Sequence, residues 1–346
     1  MLDDQNVLQQ RDPSGVLDVV ADMPESTLWQ PNLVRTEHDD RRIENIVIAG
    51  MGGSALAADL LATILRDWIA TPIIIVKGYN LPKFTSANSL VIASSQSGNT
   101  EETIGCYDQA RAIGAQLAVL TTGGALLERA EHHDILTAVI PTGGQPRMAT
   151  IKHLKALIAI LRHFGLIDDT LMNDVEASHD WLASEVSRWR KEVPVHDNYA
   201  KQIALETVGK TPIIYGGQLT APLAYKWKIS WNENAKNTAF YNQYPEFNHN
   251  EFIGWASHPV DKPFAVIDLV SSYEQPRILE RIALSDRLLS GKRPKAHTVN
   301  LAGDTLVAQM LWACILADMA SCYTAVLNQV DPEPVELVER FKRELA

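Results

Sequence analysis

Short apolar runs alternate with stretches of helical spacing from about residue 46 onward. Ile46-Val47-Ile48-Ala49-Gly50 has no polar residue and no helical period, so it predicts a strand buried on both faces. Strands over 73–76, 90–94, 117–121 and 135–140 follow in the same way. Between and after them the spacing predicts helices over 54–68 and 100–113, the second stopped by Gly114, and a long helix over 148–164 with Gly165 at its C-terminal cap. Five apolar strands separated by helices require right-handed crossovers and predict an α/β fold with a doubly wound parallel sheet. Residues 170–195, charged and tryptophan-bearing, predict a helix that leads to a boundary near Val193-Pro194. The plan then starts again, with strands over 212–217, 264–270 and 296–301 and helices over 219–232, 275–289 and 304–327, the last capped by Asp304. A short charged helix over 334–345 ends the chain. Residues 1–40 are polar and mixed, with one helix over 14–21, and read as an N-terminal arm. The expected organisation is thus an arm over 1–40, a first α/β unit over 41–192 and a second over 193–346.

Composition narrows the function classes. With 346 residues, 46% of them hydrophobic, the chain can build two sizeable cores. A net charge of -11 without any long basic run argues against a nucleic-acid partner and against an anionic membrane surface. No apolar run approaches the roughly 20 residues of a membrane-spanning helix, and the start MLDDQNVLQQRDPSG is unlike a signal peptide. A cytoplasmic, soluble protein is expected. Cys106, Cys314 and Cys322 form no CxxC pair; Cys314 and Cys322 lie in an apolar helical stretch, so neither a disulfide nor a zinc framework is expected.

The candidate chemistry gathers where the apolar run Leu90-Val91-Ile92-Ala93 gives way to Ser94, Ser95, Ser97, Asn99 and Thr100. Gly98 allows a tight turn there, and Glu101-Glu102 follow as the start of a helix. Loop N–H groups and the first N–H groups of the helix then face one concavity, where the helix dipole favours an anion. There is no lysine in the loop, so it is not a Walker-type nucleotide loop, and hydroxyls alone suit a phosphate monoester. Gly50-Met51-Gly52-Gly53-Ser54-Ala55 also follows a strand and opens a helix, as a dinucleotide fingerprint does. That fingerprint needs an acid at the end of the second strand, where this chain has Lys77-Gly78. Gly52, Gly53 and Ser54 are therefore read as backbone and hydroxyl contacts to a ligand shared with the serine loop, with plain packing glycines as the alternative.

Five segments occur in order: Gly50-Met51-Gly52-Gly53-Ser54, Ser95-Gln96-Ser97-Gly98-Asn99-Thr100-Glu101-Glu102-Thr103, Gln145-Pro146-Arg147, Asn232-Glu233-Asn234-Ala235-Lys236, and Pro245-Glu246-Phe247-Asn248-His249-Asn250-Glu251. On these segments the chain resembles the bifunctional phosphoglucose/phosphomannose isomerases, a branch of the sugar isomerase (SIS) superfamily, from about residue 40 to its C-terminus. The resemblance implies two SIS subdomains and a homodimer with active sites at the subunit interface, working without metal or cofactor. The reaction it implies is the reversible interconversion of glucose 6-phosphate and mannose 6-phosphate with fructose 6-phosphate through an enediolate. It also implies roles for particular residues. Glu233 would be the base that moves a proton between C1 and C2, a task suited to a partly buried carboxylate. His249 would open the ring and reach into the neighbouring subunit's site, Arg147 would stabilise the enediolate, and Lys342, matched by its place near the C-terminus, would assist ring opening. Ser54, Ser95, Ser97, Thr100, Gly52 and Gly53 would hold the phosphate. Met148-Ala149-Thr150-Ile151-Lys152-His153 depart from the small and aromatic residues expected after the arginine, which leaves the shape of the sugar pocket open. An isomerase of another sugar phosphate, and a sugar-phosphate sensor without catalysis, are the competing expectations.

Overall fold

The computed structural model describes residues 1–141, 143, 145–257 and 261–345, which fall into two compact units. One is Glu25–His179; the other joins Met1–Pro24 to Asp180–Ala346. The chain opens with two short helices of the second unit, α1 (Gln5–Arg11) and α2 (Val16–Ala21). The expected arm over 1–40 is thus divided: its first 24 residues belong with the C-terminal half, and the boundary expected near 193 lies between 179 and 180.

In the Glu25–His179 unit the strands are β1 (Asn32–Val34), β2 (Asn45–Gly50), β3 (Ile73–Val76), β4 (Ser89–Ser94), β5 (Gln116–Thr121) and β6 (Leu136–Val139). The helices are α3 (Gly52–Leu65), α4 (Glu101–Ile113), α5 (Gly124–His132), α6 (Thr150–His163) and α7 (Thr170–Ala177). The sheet runs β1-β6-β5-β4-β2-β3, parallel except for β1, which lies antiparallel on β6 with Asn32 opposite Val139. The antiparallel edge strand adds to the expected parallel sheet: its three residues, Asn32-Leu33-Val34, one exposed and two half-buried, are too few to show a period. In β4 every residue is buried, as a strand covered on both faces requires. Gly165, with φ +65°, ends α6 as expected, its N–H donating to Arg162 O at 2.9 Å and that of Leu166 to Leu161 O at 3.0 Å. The single helix expected over 170–195 is two, α7 and α8 (His179–Ser187).

The other unit contains α9 (Tyr199–Thr207), β7 (Thr211–Gly216), α10 (Ala221–Glu233), β8 (Phe240–Gln243), α11 (Glu251–Gly254), β9 (Phe264–Val270), α12 (Pro276–Leu288), β10 (His297–Asn300), α13 (Leu306–Asn328) and α14 (Glu336–Leu345). Its sheet, β10-β9-β7-β8, is wholly parallel. Thr305, not the expected Asp304, caps α13, its hydroxyl accepting from Ala308 N at 3.1 Å. At 23 residues α13 is long and apolar enough by composition to cross a membrane, against the expectation that no run comes near that length; 94% of its most apolar stretch is buried. The three cysteines are free and buried, and burial pushes the Cys314 thiol up to about 12.

Helices α10 and α13 are joined by a buried polar cluster. Lys226 Nζ lies 2.6 Å from Asp318 Oδ1, both side chains without exposed surface. Ser230, one turn further along α10, donates to the same oxygen at 2.8 Å, and Asn234 Nδ2 donates to Ser321 Oγ at 2.8 Å. Removing one partner of such a pair strands a charge away from water. Asp318→Ala is therefore expected to cost about 3–5 kcal/mol and to lower the melting temperature by roughly 10 °C. The double change Lys226→Met with Asp318→Leu is expected to cost less than the single one. Circular dichroism melts of the three proteins check this.

Candidate active site

The apolar strands β2 and β4 lie side by side and in register, with Gly50 opposite Ser94, so the loops that follow them leave the same edge of the sheet. Parallel sheets bind ligands at that edge. Ser54 Oγ accepts from Gln96 N at 3.2 Å and Ser94 Oγ donates to Ser54 O at 3.3 Å, which ties the two loops together. Ser95 and Thr100 share a hydroxyl hydrogen bond of 2.8 Å, and Gly98 N donates to Ser95 Oγ at 3.1 Å. Thr100 stands at the N-cap of α4 without making a side-chain cap, so it is not an ordinary capping threonine. The first N–H groups of α4 keep their anion-binding capacity, with Glu101 and Glu102 in the same turn. Ser97 is exposed and accepts from Asn99 N at 3.3 Å. Gly98, at φ +68°, could not carry a side chain: a Cβ would stand 1.7 Å from Gly123 O.

Gly52 and Gly53 differ from each other. Helix α3 begins at Gly52, two residues earlier than the spacing predicts, so both glycines lie in its first turn. Gly52 is left-handed, with φ +51° and open space where a side chain would be. Gly53 is needed for a close backbone approach, because a Cβ there would sit 2.9 Å from Pro146 C and O and 3.0 Å from Arg147 N. The glycine turn thus seats the 3-10 turn Pro146–Met148, a role the sequence offered only as plain packing. Arg147 is buried, its Nη1 donating to Gln145 Oε1 at 3.2 Å, and Thr150 Oγ1 donates to Arg147 O at 3.2 Å. On α6, His153 is fully buried; Nδ1 donates to Ala149 O at 2.9 Å and Nε2 has no partner, and burial depresses its pKa to about 4. Lys77, which stands where a dinucleotide site wants an acid, pairs with Asp59 at 2.6 Å.

The other unit carries Glu233, His249 and Lys342. Glu233 is the last residue of α10 and half-buried. The turn after it is closed by Asn232 Nδ2 donating to Asn237 O at 2.8 Å and by Lys236 Nζ donating to Glu233 O at 2.8 Å and Pro332 O at 3.0 Å. Glu233 lines a cavity of about 730 Å³ together with Asn232, Lys236, Pro334, Val335 and Leu337. His249 ends a 3-10 turn, Glu246–His249, and is exposed. Its neighbours fix the turn: Phe247 is buried against Tyr215, ring centroids 4.5 Å apart, and Asn248 Nδ2 donates to Ser285 Oγ at 2.8 Å. Glu251, the acid that ends the Asn-His-Asn-Glu run, accepts from Asn242 Nδ2 at 2.7 Å and from the Tyr215 hydroxyl. Its anchoring role was not read from the sequence, although its place in that run marked it out. Lys342 is exposed on α14 and pairs with Glu339 at 2.8 Å. Among the described residues no three His, Cys, Asp or Glu side chains gather as a metal site requires.

Gly53→Ala is expected to lose about 1–3 kcal/mol of stability through overpacking against backbone, whereas Gly78→Ala, whose Cβ meets nothing within 4 Å, stays near wild type; denaturant melts compare them. For His153 the folded pKa of about 4 lies below the ordinary 6.5, so between those values the unfolded chain binds more protons and stability falls as pH falls. His153→Leu is expected to lose less stability than wild type between pH 7 and 4, by about 3 kcal/mol, in melts across that range.

Comparison with known proteins adds to this geometry. The profile of the bacterial phospho-glucose isomerase C-terminal SIS domain matches residues 196–345. A solved glucose-6-phosphate isomerase like protein from Thermus thermophilus superposes with a TM-score of 0.66 at 18% identity, covering 99% of this chain and 98% of that one, and so shares the fold. A D-glucosamine-6-phosphate 4-epimerase of Sulfolobus acidocaldarius is 32% identical over 86% of this chain and 88% of its own. The bifunctional phosphoglucose/phosphomannose isomerase of Caldicellulosiruptor bescii is 35% identical over 88% of this chain and 90% of its own. At that identity over nearly all of both proteins, the chain belongs to the bifunctional phosphoglucose/phosphomannose isomerase family.

Proposed function

We propose that this protein is an isomerase that interconverts glucose 6-phosphate and mannose 6-phosphate with fructose 6-phosphate. The observation that carries this reading is family membership over 88% of the chain. The local chemistry supports it. A dianionic phosphate needs hydrogen-bond donors, and Ser95, Ser97 and Thr100 beside the start of α4, which has no side-chain cap, supply hydroxyls and N–H groups. Ser54 and the Gly52-Gly53 backbone complete the set. Arg147, permanently charged, stabilises the oxygens of the enediolate. Glu233, on the wall of a cavity, takes the proton from one carbon and returns it to the other. Once C2 is planar its stereochemistry is lost, which accounts for both epimers leading to one ketose.

His249 and Lys342 are proposed to open the sugar ring, with His249 supplied to the site of a second copy in a homodimer. Its exposed position on an anchored turn supports this. So does α14, whose Leu337, Phe341 and Leu345 are 81%, 66% and 62% exposed and form an apolar face that a second copy can cover. The proposed mechanism uses no metal or cofactor, and the proposed setting is the cytoplasm. The Sulfolobus relative favours a second reading, epimerisation at C4 of an amino-sugar phosphate.

Purified protein supplied separately with glucose 6-phosphate, mannose 6-phosphate and glucosamine 6-phosphate distinguishes the two, with products identified by proton NMR. Fructose 6-phosphate is expected from the first two, and Glu233→Gln is expected to lose about a thousandfold in rate. Turnover of glucosamine 6-phosphate alone would replace the first reading by the second; binding without turnover would leave a sensor.

A further inference from the structure

The two sheets share a strand order, β4-β2-β3 in one unit and β9-β7-β8 in the other, so the turn from β7 into α10 corresponds to the glycine turn from β2 into α3. The two turns are filled differently. In the Glu25–His179 unit the neighbouring loop meets the turn with a neutral group, Gln96 N on Ser54 Oγ at 3.2 Å. In the other unit it meets the turn with a carboxylate. Glu274 comes from the loop after β9 and is only 4% exposed. Its Oε1 accepts from Leu219 N at 2.7 Å and Thr220 N at 3.2 Å. Thr220 stands at the N-cap of the 13-residue helix α10 without capping it through its own side chain. Gly217 makes room for the acid: a Cβ there would stand 2.3 Å from Glu274 Oε1. Glu274 Oε2 is buried and has no hydrogen-bond partner, so the acid is held by one oxygen at the positive end of the helix.

We propose that the turn 217–220 is a cradle for a small oxyanion and that Glu274 fills it with its own carboxylate. A buried acid without a cation beside it is expected to be neutralised or driven out; here the backbone N–H groups take the place of the cation. Burial raises the Glu274 pKa, and its bonds to the N–H groups of Leu219, Thr220 and Gln218 oppose that rise. Because the cradle already holds a negative charge, the second unit cannot offer this turn to a phosphate, and the asymmetry between the units follows from one side chain. The same carboxylate pins the start of the helix whose last residue is Glu233.

The test is chemical rescue of the full-length protein by sodium formate, with sodium chloride holding ionic strength constant. It involves no sugar, so its outcome is independent of the proposed isomerisation. Glu274→Ala is expected to melt about 5 °C below wild type, and formate is expected to recover about half of that loss while leaving wild type unmoved. Glu274→Gln, which refills the cradle with an amide, is expected to show no response to formate. Equal formate shifts in wild type and Glu274→Ala overturn the proposal. If Glu274→Ala is recovered unfolded, refolding yield is read instead: folding in formate but not in chloride supports the cradle, and equal failure in both overturns it.

Discussion

Asp318 has no exposed surface, yet it carries the charge that organises the second unit. A carboxylate in such a place must be neutralised by neighbours, and those neighbours lie one and two turns apart along a single face of α10: Lys226, Ser230 and, reaching also to Ser321, Asn234. The constraint fixes more than a helix pair. Glu233 lies between Ser230 and Asn234, so the residue proposed to move the proton sits on a segment whose rotation about its axis is set from beneath. At the other end of α10, the carboxylate of Glu274 holds the first N–H groups. Buried acids thus grip the helix at both ends, leaving Glu233 half-buried and able to line a cavity.

The Glu25–His179 unit achieves comparable order with backbone and hydroxyls. Its glycines permit approaches that side chains would block, Gly53 against Pro146 and Gly98 against Gly123. The resulting loop edge carries hydroxyl and N–H donors, the chemistry that suits a phosphate dianion despite a chain with net charge -11. An anion held there would be attracted locally, by oriented dipoles rather than by the overall charge.

Much of this was legible in the chain itself. Strands such as β2 and β4 are apolar throughout because both faces are covered, and Gly114 and Gly165 mark helix ends by their left-handed backbone. Of what escaped, β1 and β8 have three and four residues with little burial. Helix α9, with nine residues and five of them buried, follows the expected boundary near Val193-Pro194 in a stretch given no element. The candidate residues were named from their segments, but their settings came from contacts distant in sequence. Gly53 meets Pro146, Gln96 meets Ser54 and Glu274 meets Leu219, and no periodicity connects such pairs.

The division of the chain also orders its synthesis. Helices α1 and α2 leave the ribosome before the Glu25–His179 unit, but they belong to the unit completed by Asp180–Ala346. Lys226 waits a further 92 residues for Asp318. The Glu25–His179 unit has all of its strands and helices once residue 179 is made, whereas the discontinuous unit cannot close until α13 is complete. Until then the apolar surfaces that α13 will cover stay open, a window in which a chaperone has something to bind.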